Sequence, residues 1–374
     1  MHKPAITGTG VFTPENIITN AELVTAFNAY ADLYNAEHAT EIDNGTLAPK
    51  EHSSEDFIVK ASGINQRYVI DKKGILDPEV MHPLLRQRSD EEPSLMAEMG
   101  LDAARKALDM AGRTAGDVDL VICAASNMER AYPAVAIEIQ QLLGVQGFAF
   151  DMNVACSSAT FGIQAAADMV KSGSIKSALV INPEICSAHL EWRDRDCHFI
   201  FGDVATATLI ERAEDAAGPY FEIMSTRCAT EFSNNIRNNN GYLRRSRPDG
   251  MIDRRDMQFM QNGRKVFKEV LPMVSEHIAA HMQDGGVDAT GLKRLWLHQA
   301  NKTMNDFIGR KVLGRTPQPS EQPNILQDYA NTSSAGSIIA FSKYSADMNS
   351  GDKGLICSFG AGYSVGSVLV EKHG

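Results

Sequence analysis

Short apolar runs recur along the chain: "LVICAAS" (120–126), "ALVIN" (178–182), "LWLH" (295–298) and "GLICSF" (354–359). Between them lie longer stretches with apolar residues at helical spacing, such as "EPSLMAEMGLDAARKALDMAG" (92–112). Runs without polar alternation predict strands buried on both faces, and the 3.6-residue period predicts helices that cover them. The pattern is that of an α/β fold with central strands between helical layers, in which sites gather at the carboxyl ends of strands.

The pattern is also duplicated. "VDLVICAASN" (118–127) resembles "LKRLWLHQAN" (292–301), and each leads into a helix closing on "LLG" or "VLG". "CSSATFGIQAAADMVKSGSIKSALVIN" (156–182) resembles "NTSSAGSIIAFSKYSADMNSGDKGLICSF" (331–359), and "FGDVATATLIE" (201–211) resembles "FGAGYSVGSVLVE" (359–371). Asn127 and Cys156 are 29 positions apart, and Asn301 and Asn331 are 30 apart. Matched order and spacing predict two similar halves, 1–215 and 216–374. Three polar segments interrupt the scheme, at 30–56, 71–94 and 231–250, and read as surface loops, small caps or substrate lids.

Composition bounds the partners. The net charge of −11 and pI near 5.4 argue against nucleic acid or an anionic membrane surface as a general partner. Nothing approaches eighteen uninterrupted apolar residues, and no basic start precedes an apolar run, so a soluble protein without a signal peptide is expected. Six scattered cysteines suit a reducing cytoplasm better than a disulfide framework.

Chemistry concentrates on one constellation. The duplication sets Cys156 opposite Asn331, each opening a helix after a strand, while the "HQAN" turn carries His298 one block earlier in the second half. Two halves packed about an approximate two-fold axis would bring Cys156, His298 and Asn331 together. A helix N-terminus is expected to lower the thiol pKa, and Ser157, Ser158 and Ala159 leave room for a substrate. Taken singly, Cys156 reads as a small buried hydrophobe, His298 as a core histidine and Asn331 as a helix cap; the constellation is what points to a nucleophile. "SFGAGYSVG" (358–366) offers backbone N–H groups to a developing oxyanion, or is a plain turn before the last strand. "CSAHLEWRDRDCH" (186–198) holds Cys186, His189, Cys197 and His198 but lacks a second pair at metal-ligand spacing, so no metal is expected.

With these residues in view, the chain resembles the β-ketoacyl-acyl carrier protein synthase III family of the thiolase superfamily over nearly its whole length. The matching stretches include "ITGTGVFTPENIITNAEL", "SGINQRYV", "DMNVACSSATFGIQAA", "FIFGDVATATLIE", "MQNGRKVFK", "LHQANKTM", "YANTSSAGS" and "SFGAGYSVGSVLVEK". The resemblance implies a thiolase-like, duplicated five-layer αβαβα fold and a homodimer. It implies that Cys156 takes an acyl group from a thioester, and that His298 and Asn331 hold the malonyl carbonyl and stabilise the enolate left by decarboxylation. The N–H groups of Cys156 and Gly362 would form the oxyanion hole. Tyr132 falls where the family places an aromatic residue of the dimer partner at the floor of the acyl pocket. Lys268, Arg310 and Lys311 fall near the tunnel mouth, where an acidic acyl carrier protein would dock. Substrates would be acyl-coenzyme A and malonyl-acyl carrier protein, with no separate cofactor.

Departures shape the expectation further. Members primed by acetyl-coenzyme A carry Trp and Arg before the "TGI" stretch, where this chain has Phe57 and Ala61, and Thr303 replaces an arginine beyond "HQAN". The extra loops suggest a primer longer than acetyl. A degradative thiolase would carry a second cysteine before the glycine loop, where Ser358 stands, and a histidine in place of Asn331. A polyketide-type condensing enzyme, a papain-like protease with the same Cys, His, Asn order, and a non-catalytic acyl-binding protein are the other readings.

Overall fold

A computed structural model describes residues 1–239 and 254–374. Nine strands form one mixed sheet, in the spatial order Leu292–Leu297, Lys353–Gly360, Gly362–His373, Tyr220–Ser233, Pro4–Phe12, Val204–Arg212, Ser177–Glu184, Leu120–Ala124, Phe148–Met152. Outward from the centre, the two sides repeat one pattern. Pro4–Phe12 and Tyr220–Ser233 each pair antiparallel with a strand, that strand pairs antiparallel with a third, and the third pairs parallel with a fourth. The first side adds Phe148–Met152, parallel to Leu120–Ala124. Among the described strands the two sides pair at Ala5 and Ile6, opposite Glu222 and Phe221.

That narrow join lets the half-sheets face one another across a shared helical layer. Helices Ser158–Ser172 and Gly336–Lys343 fill it: Ile163 and Val170 pack with Ile122 and Val180 from one half-sheet and with Ile356 and Val368 from the other. Complete burial of each such side chain contributes about 1.5–3 kcal/mol. Helices Leu95–Ala111 and Val135–Leu143 cover the outer face of the first half-sheet, and Gly263–Asp284 with Lys302–Leu313 cover that of the second. The result is the five-layer α/β arrangement.

Local chemistry explains how the layers lie so close. Leu95–Ala111 starts at Ser94, whose Oγ accepts from Ala97 N at 3.2 Å, and buries Ala103, Ala104 and Ala107 at helical spacing. The helix backbone rests directly on strand Pro4–Phe12: a side chain at Gly8 would put its Cβ 2.1 Å from the Ala107 carbonyl oxygen. Among the interrupting segments, 30–56 begins as helix, because the Asn20–Glu37 helix opened by the Thr19–Glu22 capping box runs on through Glu37. Segment 71–94 is loop and turn. Of 231–250, the part from 240 lies outside the described residues.

Candidate functional site

The strands of both half-sheets deliver their turns to one place. Phe148–Met152 runs into Asn153 and the short Ala155–Ser157 turn that carries Cys156 ahead of the Ser158–Ser172 helix. In the second half, Asn331 leads into the Ser333–Ala335 turn ahead of Gly336–Lys343. Ala155 and Ser333 are both left-handed (φ 47° and 50°), and each donates its backbone N–H to the asparagine two residues before it, Asn153 Oδ1 at 2.9 Å and Asn331 Oδ1 at 2.8 Å. These matching details correct the register read from the sequence: Asn331 mirrors Asn153, and the position opposite Cys156 is Ser334.

Cys156, His298 and Asn331 line one cavity of about 260 Å³. The Cys156 thiol accepts a hydrogen bond from Ser333 Oγ at 3.4 Å. Burial pushes this thiol up to about 11, against the pull of the Ser333 hydroxyl. The lowered thiol expected of a helix start is therefore reversed, because desolvation outweighs it. Backbone N–H groups of Cys156 itself and of Ala361 also act on the sulfur to favour its charged form. Gly360 is needed for that approach, since a Cβ there would lie 2.6 Å from Cys156 Cβ.

The "HQAN" turn explains itself residue by residue. His298 is held by its backbone, N–H to the Cys357 carbonyl at 2.7 Å and carbonyl to Asn305 Nδ2 at 3.0 Å, and its ring meets Phe359 edge-on. Burial holds the imidazole down at about 4, so it is neutral near pH 7, and its Nδ1 has no hydrogen-bond partner among the described residues. Gln299 Oε1 accepts from Ile325 N. Asn301 caps the Lys302–Leu313 helix through Thr303 N and Met304 N, and its Nδ2 ties the turn to the Ala61 carbonyl. Asn331 is docked by its backbone to Ile200 and Gly202, and with Oδ1 committed to Ser333 its Nδ2 is the donor left for a ligand.

Beneath the cysteine lies a carboxylate that sequence reading missed. Glu184 is buried, and its Oε1 accepts from Ser126 N at 3.0 Å and Ser334 N at 3.2 Å, its Oε2 from Ser126 Oγ at 2.5 Å; Ser334 Oγ bonds it as well. It clamps the end of strand Leu120–Ala124 to the turn that carries Ser333. Burial raises this acid to about 7, with the serine hydrogen bonds opposing. The duplication contained the signal, because the strand end that carries Glu184 in the first half carries Gly360 in the second.

The remaining sequence-predicted residues are placed as follows. The backbone N–H that acts on the Cys156 sulfur belongs to Ala361, one residue before the Gly362 expected from the sequence. Tyr132 is 85% exposed and lines neither cavity that touches Cys156. Lys268 is exposed beside Phe267, which lines the site cavity. Arg310 and Lys311 are exposed in the last turn of Lys302–Leu313, whose first turn supplies Met304 to the cavity, and Arg310 borders a separate surface cavity. Arg195 stacks its guanidinium 4.3 Å over the Phe57 ring. His189 bonds Asn127 and His198 stacks on Phe27; among the described residues no three His, Cys, Asp or Glu converge as metal ligands.

Two stacked half-sheets with a partly buried cysteine, a neutral histidine and an asparagine at their shared carboxyl end define the thiolase-fold class of condensing enzymes. Residues 150–231 match the family described as 3-oxoacyl-[acyl-carrier-protein (ACP)] synthase III, and residues 282–372 match its C-terminal part. The chain is 54% identical to a β-ketodecanoyl-[acyl-carrier-protein] synthase of Pseudomonas aeruginosa, over 93% of this chain and 99% of that one. It is 31% identical to a β-ketoacyl-[acyl-carrier-protein] synthase III of Acidiphilium cryptum, over 99% and 100%. The fold is shared with a crystal structure of 3-oxoacyl-[acyl-carrier-protein] synthase III from Aquifex aeolicus at a TM-score of 0.75 and 24% identity, covering 98% of this chain and 99% of that one. The chain belongs to the β-ketoacyl-[acyl-carrier-protein] synthase III family. It is an acyltransferase of fatty acid biosynthesis, a condensing enzyme that works with an acyl carrier protein.

Proposed function

We propose that the enzyme loads a medium-chain acyl group from acyl-coenzyme A onto Cys156 and condenses it with malonyl-acyl carrier protein. A ten-carbon β-ketoacyl product, as named for the 54% identical relative, contains two carbons from malonate and thus requires an eight-carbon primer. The observation that carries the reading is the position of Cys156, which lines both the cavity of His298 and Asn331 and a second cavity of about 270 Å³ behind it. One chamber receives the malonyl thioester while the other holds the acyl tail.

In the first half-reaction the Cys156 sulfur attacks the thioester carbonyl, and the N–H groups of Cys156 and Ala361 stabilise the oxyanion. Coenzyme A leaves with the cysteine's proton. In the second, the malonyl thioester carbonyl accepts hydrogen bonds from His298 and from Asn331 Nδ2, carbon dioxide departs, and the enolate attacks the Cys156 thioester. The bond to sulfur breaks, the thiol recovers a proton and 3-oxoacyl-acyl carrier protein is released. A neutral imidazole donates its N–H to the enolate oxygen and, being a far weaker acid than imidazolium, keeps that proton; burial maintains this form.

Lys268, Arg310 and Lys311 are exposed and supply positive charge to the carrier-protein face on this reading. A cytoplasmic homodimer fits: Phe148–Met152 is an edge strand with Phe148 exposed and the rest only partly buried, and Tyr132 stands out from the loop before Val135–Leu143, ready for a partner's acyl pocket. No helix among the described residues is long and apolar enough to cross a membrane.

The test is intact-mass measurement after incubation with acyl-coenzyme A of graded length. Octanoyl mass should add to the wild type and not to Cys156→Ala, and addition of malonyl-acyl carrier protein should release 3-oxodecanoyl product. Absence of acyl transfer at every length refutes the nucleophile; a preference for acetyl refutes the primer.

A further inference from the structure

Three cavities follow one another through the protein. The site cavity and the second cavity share Cys156, Phe201, Ile236 and Phe259. The second cavity and a third, of about 610 Å³, share Asn127 and His189. These two side chains are joined, Asn127 Nδ2 to His189 Nδ1 at 2.6 Å, so a hydrogen-bonded pair stands between the chamber behind the cysteine and the larger space beyond it. Its apolar lining includes Leu95, Met96, Met128 and Ile185; of its charged side chains Arg86 pairs with Glu92, Arg88 with Glu98 and Arg130 with Glu138, and Asp90 and Glu129 line it as well.

We infer that the Asn127–His189 pair is the gate that sets the length of the primer's hydrocarbon tail. This rests on the reading of Cys156 as the acylated residue. A tail on Cys156 enters the second cavity and meets the pair at its far side. Polar groups that satisfy one another there present nothing to a methyl terminus, and a longer tail has to separate them to reach the apolar lining beyond. Asn127 follows strand Leu120–Ala124 in a loop, and His189 ends the short Cys186–His189 turn, its carbonyl accepting from Phe259 N and its ring meeting Phe201 edge-on, so the side-chain pair can part while both backbones stay in place. Asn127 also follows Ser126, which Glu184 holds, so the gate is anchored on one side to the turn beneath the cysteine.

The experiment compares wild type with Asn127→Ala and His189→Ala, each checked by circular dichroism, in initial rates of acylation from octanoyl-, dodecanoyl- and tetradecanoyl-coenzyme A. Intact mass is the readout and the dodecanoyl to octanoyl ratio the quantity compared. Opening the gate should raise that ratio by about tenfold or more, the scale at which a pocket discriminates added methylenes. The ratio is insensitive to general damage, and Asn127→Ala, in a loop, keeps the test available if His189→Ala fails to fold. A wild type that acylates with unchanged ratios in the folded variants overturns the gate. A wild type that takes no acyl group on Cys156 overturns instead the reading on which the gate rests.

Discussion

Replacing Glu184 with glutamine tests the electrostatics under the cysteine. Oε1 accepts from Ser126 N, Ser334 N and Ser334 Oγ, whereas Oε2 accepts from Ser126 Oγ and lies 3.9 Å from Cys186 Sγ. Glutamine fits by keeping its carbonyl at Oε1 and turning its NH₂ to Ser126 Oγ, which then accepts. The native acid is raised by burial from 4.5 to about 7. A folded-state pKa above the unfolded value means that the folded protein holds the proton more tightly, so stability is lost as pH rises from the unfolded value through about 7. Between those two values the linkage relation removes about 1 kcal/mol by pH 5 and about 3 kcal/mol by pH 8. Glutamine carries no such dependence. The difference in unfolding free energy between Glu184→Gln and wild type should therefore move by about 2–3 kcal/mol in favour of glutamine from pH 5 to pH 8. Urea titrations followed by the fluorescence of buried Trp192 and Trp296 at each pH measure it, and the other titrating groups cancel between the two proteins. A difference that stays flat across this range refutes the buried, raised carboxyl. Because the Glu184 charge also raises the Cys156 thiol, the same variant should shift iodoacetamide reactivity to lower pH.

In the wild type, alkylation of Cys156 should keep rising beyond pH 9, because a thiol held near 11 stays protonated until then; a plateau below pH 8 refutes the burial account. Gly360→Ala drives a Cβ to within 2.6 Å of Cys156 Cβ and 3.1 Å of its sulfur, so acylation followed by intact mass should fall about a hundredfold or more. Its overpacking should cost about 1–3 kcal/mol in thermal or urea unfolding. His298→Ala should keep Cys156 acylation but lower malonyl decarboxylation by about 10²–10³ in released carbon dioxide. With His298 held near 4, wild-type decarboxylation should stay flat from pH 8 down to pH 5; a fall centred near 6.5 would show an ordinary imidazole.

The lesson of Asn331 is one of register. Its backbone partners Ile200 and Gly202 lie in the other half of the chain, so the similarity of "ACSSATF" to "NTSSAGS" identified a paired site yet left its alignment three residues out. The left-handed Ala155 and Ser333, each bonded to the asparagine before it, decide the matter.

What the chain determines by itself is whatever repeats at fixed local spacing. Unbroken apolar runs became central strands, helical spacing became the covering layers, and "HQAN" with "NTSSAGS" located His298 and Asn331, because strand ends and helix caps are written in neighbouring residues. What only the tertiary structure decided depends on remote segments brought into contact. Burial reversed the direction of the Cys156 thiol, since desolvation depends on everything packed around it. The close approach of Gly360 put Ala361 rather than Gly362 beside the sulfur, and strand packing set Glu184 under Ser334, 150 residues away. Cavities are spaces between elements rather than properties of any stretch of chain, which is why the Asn127–His189 pair became visible only once the loops that hold it were in place.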